Sequence, residues 1–536
     1  MKETASGRDA RFDFWRMREA PGISFPQRLF LVALVSAGLL AVVRLGDWWF
    51  RAEHVADTAF FIFLSVAFWY GIGRILVGWF NYLGIRKPAP CAAPPGMRVA
   101  IFTTSSPGEP LAMFEKTLAA CRKIRYPHTT YLLDDTQDPR FRELAGRHGA
   151  VWLELVGIPG AKAGKINKAF SMTTEDFILV LDPDHVPFPD FLDRVLGYFG
   201  DEKTGFVQVC QAYYNQARSF VARGAAEQTY GFYGPILMGM YGHRSSLAIG
   251  ANCTFRRTAL ESIGGHGVGL AEDMVTAIRL HAAGWESVYV PIILSRGLVP
   301  EDLGSFFKQQ LKWARGVYEI LFAELPALWP RLKWRQRLSY FLLGTYYLCG
   351  VTTFIYLLIP YCYLWFGFQP ASMPFAQFMT MVGPVGLIGV ILYLAVQRWL
   401  CHPEAERGLH WRGLMLKIGC WPVYLLGTIL SITRTAIPYI PTAKEAVRGE
   451  FLRLTWPHVV VFLAYLLTLV TVLYRRIFVI PEEVLVLSTE AVWGMMGFAT
   501  MTIVFSVGVF YAAWKARDLP DGSAWDAVPN QLTGDE

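Results

Sequence analysis

Charge is scarce in this chain. Only 17% of its 536 residues are Asp, Glu, Lys or Arg, against 53% hydrophobic residues, and the mean hydropathy is +0.32. A soluble domain of this size carries more charge, so membrane segments are expected. Paired cysteine motifs are missing too. The eight Cys are scattered without a Cys-x-x-Cys, which argues against a zinc site or a disulfide framework and for reduced packing residues. No cleavable leader is expected, because the first apolar run starts near Leu29 and no small-residue cleavage site follows it. Nor is there a concentrated basic surface. The net charge of +7 is spread over the N-terminus and residues 398–453. That spread excludes a nucleic-acid partner and fits the flanks of membrane helices.

What the chain does have is long apolar runs. A helical span needs roughly 20 such residues. Residues 29–49 and 58–82 make two candidates, 341–367, 376–397, 457–475 and 486–513 four more. The run 411–432 carries Arg412, Lys417 and Pro422 and suits either a span or the interface. Lying flat, it leaves Arg398, Arg407, Arg412, Arg434, Lys444, Arg448 and Arg453 on one cytoplasmic side, as the positive-inside rule asks. The expectation is six spans with both termini inside, although Arg475 and Arg476 fall on the other side. Four parts follow: residues 1–97 with two spans, an α/β domain over 98–320, a second membrane region over 321–514 and a short acidic tail over 515–536.

Residues 98–320 read differently from their surroundings. The runs VAIFTT, TYLLDD, VWLELV, FILVLD and GFVQVC alternate with polar helical stretches, which predicts a doubly wound α/β domain inserted between the membrane helices. The most informative stretch is Phe177-Ile-Leu-Val-Leu-Asp-Pro-Asp-His185. Five apolar residues suit a buried strand. Asp182 and Asp184 then fall on one side of an extended segment, a good seat for a hard divalent cation carrying phosphate. A solvated strand end fits the spacing equally well.

Four more motifs sit at strand ends or in loops. Asp134-Asp135 closes TYLLDD, where a base or ribose could bind at a switch point; a polar strand cap fits as well. GAKAGKINKAF, residues 160–170, is not a Walker A loop, since no Ser or Thr follows Lys165. Lys162 could meet a phosphate or simply open a helix. Glu272-Asp273 precede a helical run, where capping is one role and general base catalysis by Asp273 the other. Gln309-Gln310-Leu-Lys312-Trp313 puts an aromatic face near the membrane, either as an interfacial anchor or as a sugar platform.

Taken in order, these motifs resemble those of the family 2 glycosyltransferases, and the whole chain resembles their processive membrane branch of cellulose, curdlan, chitin and hyaluronan synthases. The ordered set is Asp134-Asp135, Ala161-Lys-Ala-Gly164 with Asn167, Asp182-x-Asp184-His185, Glu272-Asp273 and Gln309-x-x-Lys312-Trp313. Tyr439-Ile-Pro-Thr-Ala-Lys444 resembles the gating loop of cellulose synthase, within a gating-like segment 434–453. The resemblance implies a GT-A-type fold and an Mg²⁺ or Mn²⁺ ion on Asp182 and Asp184. It implies uridine contacts from Asp134 and Asp135, a diphosphate contact from Lys162, and Asp273 as the base. Gln309, Gln310, Lys312 and Trp313 would frame the acceptor and leaving group, with Glu109 and Thr442 also on the substrate.

Three departures stand out. Lys312 occupies the place of an expected Arg, so a point charge replaces a bidentate fork. The loop Thr103-Thr-Ser-Ser-Pro-Gly-Glu-Pro110 has Pro107 where cellulose synthases carry an aromatic residue. The acidic tail is too short for a PilZ domain, so no cyclic-di-GMP receptor is expected in it. Segment 248–258 also lacks the Phe-Cys-Gly-Ser pattern, which sets the chain apart from cellulose synthase itself. The expected function is processive, inverting transfer of glucose from UDP-glucose to a β-glucan exopolysaccharide, exported across a bacterial inner membrane. The partners are then the nucleotide sugar, the nascent polysaccharide, the bilayer and periplasmic export proteins. The alternatives are a non-processive transferase acting on a lipid, a hyaluronan-, chitin- or mannan-type synthase using another donor, and a catalytically weak channel subunit.

Overall fold

The computed structural model describes residues 15–437, 444–446, 451–479, 489–515, 519 and 521–533. Its centre is an eight-stranded mixed sheet in the order β1-β9-β7-β8-β5-β2-β3-β4. The strands are β1 (Arg18–Glu19), β2 (Val99–Thr104), β3 (Thr129–Asp134), β4 (Val151–Glu154), β5 (Phe177–Leu181), β7 (Thr204–Cys210), β8 (Cys253–Arg256) and β9 (Glu286–Ile293). A small ribbon of β6 (Val186–Pro187) and β10 (Ser295–Arg296) stands beside it. Strands β5, β2, β3 and β4 run parallel.

The strand segments expected from sequence fall on β2, β3, β4, β5 and β7. Between two of these the structure adds one strand that the sequence reading did not place. β7 does not pair with β5, because β8 lies antiparallel between them. Its residues, Cys-Thr-Phe-Arg, form no apolar run, so β8 leaves no clear trace in the pattern. Alternation then sorts the two cores. Ile101, Leu179, Leu181, Val207 and Val209 pack on one face, and Phe102, Ile178, Val180, Phe206 and Phe255 on the other. Both faces are covered, so these strands read as near-continuous apolar runs.

Helices α1 (Phe25–Trp49) and α2 (Thr58–Leu83) form a hairpin. Asp57 caps α2 by accepting from Phe60 N at 3.0 Å, and Arg28 ties the open end shut on the carbonyls of Leu83 and Ile85. The α/β domain then supplies α3 (Leu111–Arg122), α4 (Pro139–Arg147), α5 (Ala161–Met172), α6 (Phe220–Gly231), α7 (Glu272–Ala282) and α8 (Leu303–Glu319). The longer helices that follow among the described residues are α9 (Trp334–Gly344), α10 (Cys349–Phe366), α11 (Phe375–Val396), α12 (Trp411–Gly419), α13 (Trp421–Ile432), α14 (Phe451–Tyr474) and α15 (Thr489–Lys515). Five stretches of the described residues are long and apolar enough to cross a membrane: 25–49, 58–83, 334–366, 375–399 and 453–479. Helix α15 lies over the sixth expected run.

Helices α12 and α13 meet at a 45° bend and lie along the α/β domain. On α12, Arg412 and Gly413 N both donate to the Glu227 carboxylate of α6, at 3.1 and 3.0 Å. On α13, Tyr424 donates to Gln310 of α8 at 2.8 Å, and Ser431 accepts from Arg315 at 2.7 Å. Beyond α15 the chain returns to the same domain. Ala524, Trp525 and Val528 pack with Met113, Phe114 and Leu118 of α3, and Lys123 holds the Gln531 carbonyl at 3.0 Å. At the opposite end of the bundle, Ser372 N donates to the His54 carbonyl at 3.0 Å.

The domain and the first hairpin meet through glycine. A Cβ on Gly239 would stand 2.0 Å from the Asn81 carbonyl oxygen of α2, and backbone cannot swing aside as a side chain can. Gly239→Val should therefore cost about 1–3 kcal/mol or more. A lowered thermal midpoint in detergent is the readout. Gly71→Ala, whose Cβ meets nothing within 4 Å, should leave the midpoint in place, and a matching drop there would refute the steric account.

Candidate active site

The site forms at the C-terminal edge of the parallel strands. β5 ends at Leu181, and His185 N donates back to the Asp182 carbonyl at 3.0 Å, closing a turn around Pro183. Thr117 of α3 donates to the Pro183 carbonyl at 2.6 Å and fixes that turn from behind. One ligand atom from each of Asp182, Asp184 and His185 lies within 4.8 Å of the others. Asp184 accepts from Leu298 N at 3.0 Å and pairs with Lys444 at 3.2 Å. Lys162 donates to both Asp182 and the Gly250 carbonyl. Burial by itself would raise the Asp184 carboxyl, but Lys444 and His185 outweigh it and hold the group well below the usual range. Two ionised carboxylates with an imidazole beside them suit a hard divalent cation, and the buried His185 Nε2 has no hydrogen-bond partner of its own. The donor set fits a metal.

Helix α5 brings in the lysines. The chain enters it through Gly160 and Ala161, both at positive φ, +94° and +51°. A Cβ on Gly164 would lie 1.9 Å from the Pro159 carbonyl oxygen, so only glycine lets the helix turn so tightly on its entry loop. Lys162 reaches the metal turn. Lys165, unassigned by the sequence reading, is buried against the Ser105 carbonyl and lies 3.4 Å from Asp135. Asn167 makes two bonds with the backbone of His266, at 2.8 and 2.7 Å, tying α5 to the loop before α7.

Glu272 and Asp273 open α7, where the helix dipole favours acids. Asp273 nevertheless has its pKa pushed up to about 7. Burial is the main cause and Glu272 the next, offset in part by Met274 N, Lys162 and Lys312. Burial lowers the Lys312 ammonium, with Glu272, Asp182 and Asp273 acting the other way. Glu109 is likewise raised to about 7, first by burial. All these groups share one cavity of about 560 Å³. Of the residues expected at the site, Glu109, Lys162, Asp182, Asp184 and Asp273 line it. So do Gln309, Gln310, Lys312 and Trp313. Gln310 also accepts from Tyr424, so its oxygen is engaged.

Two expected residues are not brought to the cavity. Asp134 is 2% exposed, and its oxygens already accept from Ser105 Oγ, Thr136 N, Thr136 Oγ1 and Trp152 Nε1, at 2.5 to 3.0 Å. Three of those bonds fall on Oδ1 and one on Oδ2, so the carboxylate already serves the local scaffold, and Asp134 is not among the residues that line the cavity. Asp135 stands one step out, accepting from Gly157 N at 3.1 Å beside Lys165. Thr442 lies outside the described residues, as does much of the segment 434–453. The sequence reading also passed over Arg315, two residues past Trp313. It donates to Ser431 and to the Thr435 carbonyl at 2.7 and 2.9 Å, linking α8 to the segment that follows α13. A second cation on one helix face three residues from Lys312 was the available signal.

Residues 177–395 match the model of glycosyl transferase family group 2. That part of the chain is thus similar to the family 2 glycosyltransferases. Its curated relatives include the UDP-forming cellulose synthase catalytic subunit of Komagataeibacter sucrofermentans, 30% identical over 321 residues, 57% of this chain and 42% of the relative. That of Pseudomonas fluorescens is 27% identical over 369 residues, 64% and 48% respectively. The chain therefore spans less than half the length of these relatives. Among solved structures, the mannosyltransferase of Pyrobaculum calidifontis in complex with GDP-Man and Mn²⁺ is 15% identical, with a TM-score of 0.44 over 70% of this chain and 100% of that one. That likeness is too distant to carry an argument.

Proposed function

We propose that the protein is a processive, inverting β-glycosyltransferase that moves glucose from UDP-glucose onto a growing exopolysaccharide and passes the polymer through its own membrane helices. One observation carries the reading. The cavity that holds Asp182, Asp184 and Asp273 continues without a break to Val77 of α2, Leu342 and Leu343 of α9, and Tyr346 and Tyr347 beyond it. A sugar chain built at the acidic end would already point into the bundle. Aromatic faces there suit the apolar faces of a sugar ring.

The roles follow from position. Asp273 accepts the proton of the attacking hydroxyl as the oxygen bonds to the anomeric carbon and the bond to the diphosphate breaks. Lys162 and Lys312 offset the charge growing on the departing oxygens. A divalent ion held by Asp182 and Asp184 supplies further charge neutralisation for the diphosphate. The topology supports a cytoplasmic site in an inner membrane. The starts of α1 and α14, and the segment after α15, all stand on the side of the α/β domain. With α12 and α13 against that domain, six spans bring both ends of the described chain to one side, the side favoured by its Lys and Arg.

The test is incubation of the nanodisc-held protein with Mn²⁺ and, separately, labelled UDP-glucose, UDP-GlcNAc and GDP-mannose. High-molecular-weight product from UDP-glucose, cut by a β-glucanase, is the expected result. A short or lipid-borne product would establish the non-processive alternative. Polymer from another donor would move the specificity and keep the mechanism.

A further inference from the structure

Most charges in the cavity are answered. Lys162 pairs with Asp182, and Lys444 with Asp184. The membrane end is different. Arg74 of α2 and Lys417 of α12 both line the cavity and flank one ring, with the guanidinium carbon 5.1 Å and the ammonium 4.6 Å from the centroid of Tyr346. Arg74 donates one N–H to the Leu342 carbonyl at 2.7 Å, where the chain breaks between α9 and α10. Tyr70 satisfies the carbonyls of Thr345 and Tyr346 in the same break. Among the described residues neither cation pairs with a carboxylate. Arg74 stands nine residues before the end of α2, about 14 Å along the helix axis, inside an apolar span.

Two like charges closer than a Debye length of ~10 Å repel, and in apolar surroundings that repulsion is poorly screened. Charged side chains persist within membrane segments when they meet a partner or mark a substrate path. A neutral glucan asks only for aromatic faces and hydroxyl partners, so neither charge would serve it. A guanidinium with one N–H on the Leu342 carbonyl, beside an ammonium that meets the Tyr346 side chain, still matches a carboxylate or a phosphate.

We propose that the membrane end of the cavity is an anion-binding subsite. Arg74 and Lys417 hold a carboxylate or phosphate carried by the acceptor, either on the polymer as it passes or on a lipid that primes it. The inference rests on the transferase reading of the same cavity: an acid on a priming lipid leaves the glucose donor in place, whereas an acid on the polymer replaces glucose, at least in part, with an acidic sugar.

The experiment uses the full chain in phosphatidylcholine nanodiscs and measures equilibrium binding of cellotetraose, tetragalacturonate and undecaprenyl phosphate, with UDP binding followed in parallel. At least one acidic probe should bind about tenfold or more tighter than cellotetraose, and added salt should shrink the preference. Preference for tetragalacturonate assigns the anion to the polymer; preference for undecaprenyl phosphate assigns it to the lipid. The double variant Arg74→Gln, Lys417→Gln should lose the preference and keep its UDP affinity. Equal affinity for neutral and acidic probes in the unsubstituted protein would overturn the proposal, whether or not the variant folds. Absence of UDP binding beside an intact acidic preference would instead sink the transferase reading.

Discussion

Asp273→Asn should lower sugar transfer by about 10²–10⁴-fold while UDP still binds, because the amide keeps the shape of the carboxylate and loses its basicity. Asn can still accept from Met274 N, the backbone bond that Asp273 makes at 2.7 Å, so the start of α7 should stay in place. The pH profile gives an independent readout. Burial and Glu272 raise the Asp273 pKa to about 7. Its carboxyl is therefore protonated and inactive as a base at pH 6, and ionised at pH 8. The value of kcat/KM should fall as pH drops through 7, and that limb should vanish in whatever residual activity Asp273→Asn retains. Full turnover in the Asn variant would mean that the neighbouring Glu272, 7% exposed, is the base.

Asp184→Asn should have the next largest effect, a loss of at least about 10²-fold in turnover. The carboxylate is held ionised despite its burial, with Lys444 and Leu298 N as partners. An amide retains the contact with Leu298 N, but it offers a divalent cation a much poorer oxygen and leaves Lys444 facing a second donor group. Mn²⁺ binding, followed directly by electron paramagnetic resonance, should weaken at least tenfold. An unchanged Mn²⁺ affinity would remove Asp184 from the metal site, however low the activity fell.

The legible parts of this chain were those written locally. Phe177–Leu181 is apolar on both faces and ends at Asp182, so strand and carboxylates were visible together. The membrane runs declared themselves by length. β8 was hidden because Cys253-Thr-Phe-Arg256 forms no apolar run, unlike the equally short β4. Asp134 shows the limit at the site. An acid at the end of a parallel strand suits a ribose contact and a scaffold equally well, and the bonds from Ser105, Thr136 and Trp152 are visible only in the folded chain. Lys165 and Arg315 were missed for a related reason. A buried cation is defined by what it touches, here the Ser105 carbonyl and the segment after α13; the spacing from Lys312 marked Arg315 as a second cation on that face but not its partners. Arg74 reads as a blemish in a hydrophobic run until the cavity places it beside Tyr346 and Lys417.

The segment that follows α15 has a consequence for biosynthesis. It covers the outer face of α3 with Trp525 and Val528, and α3 in turn holds Pro183 through Thr117. A ribosome delivers residues 521–533 only after helices α1 to α15 have been made. Until then the flank of α3 behind the Asp182–Asp184 turn is bare apolar surface. The wall behind the Asp182–Asp184 turn is thus completed from the far end of the described chain, by residues made after α15.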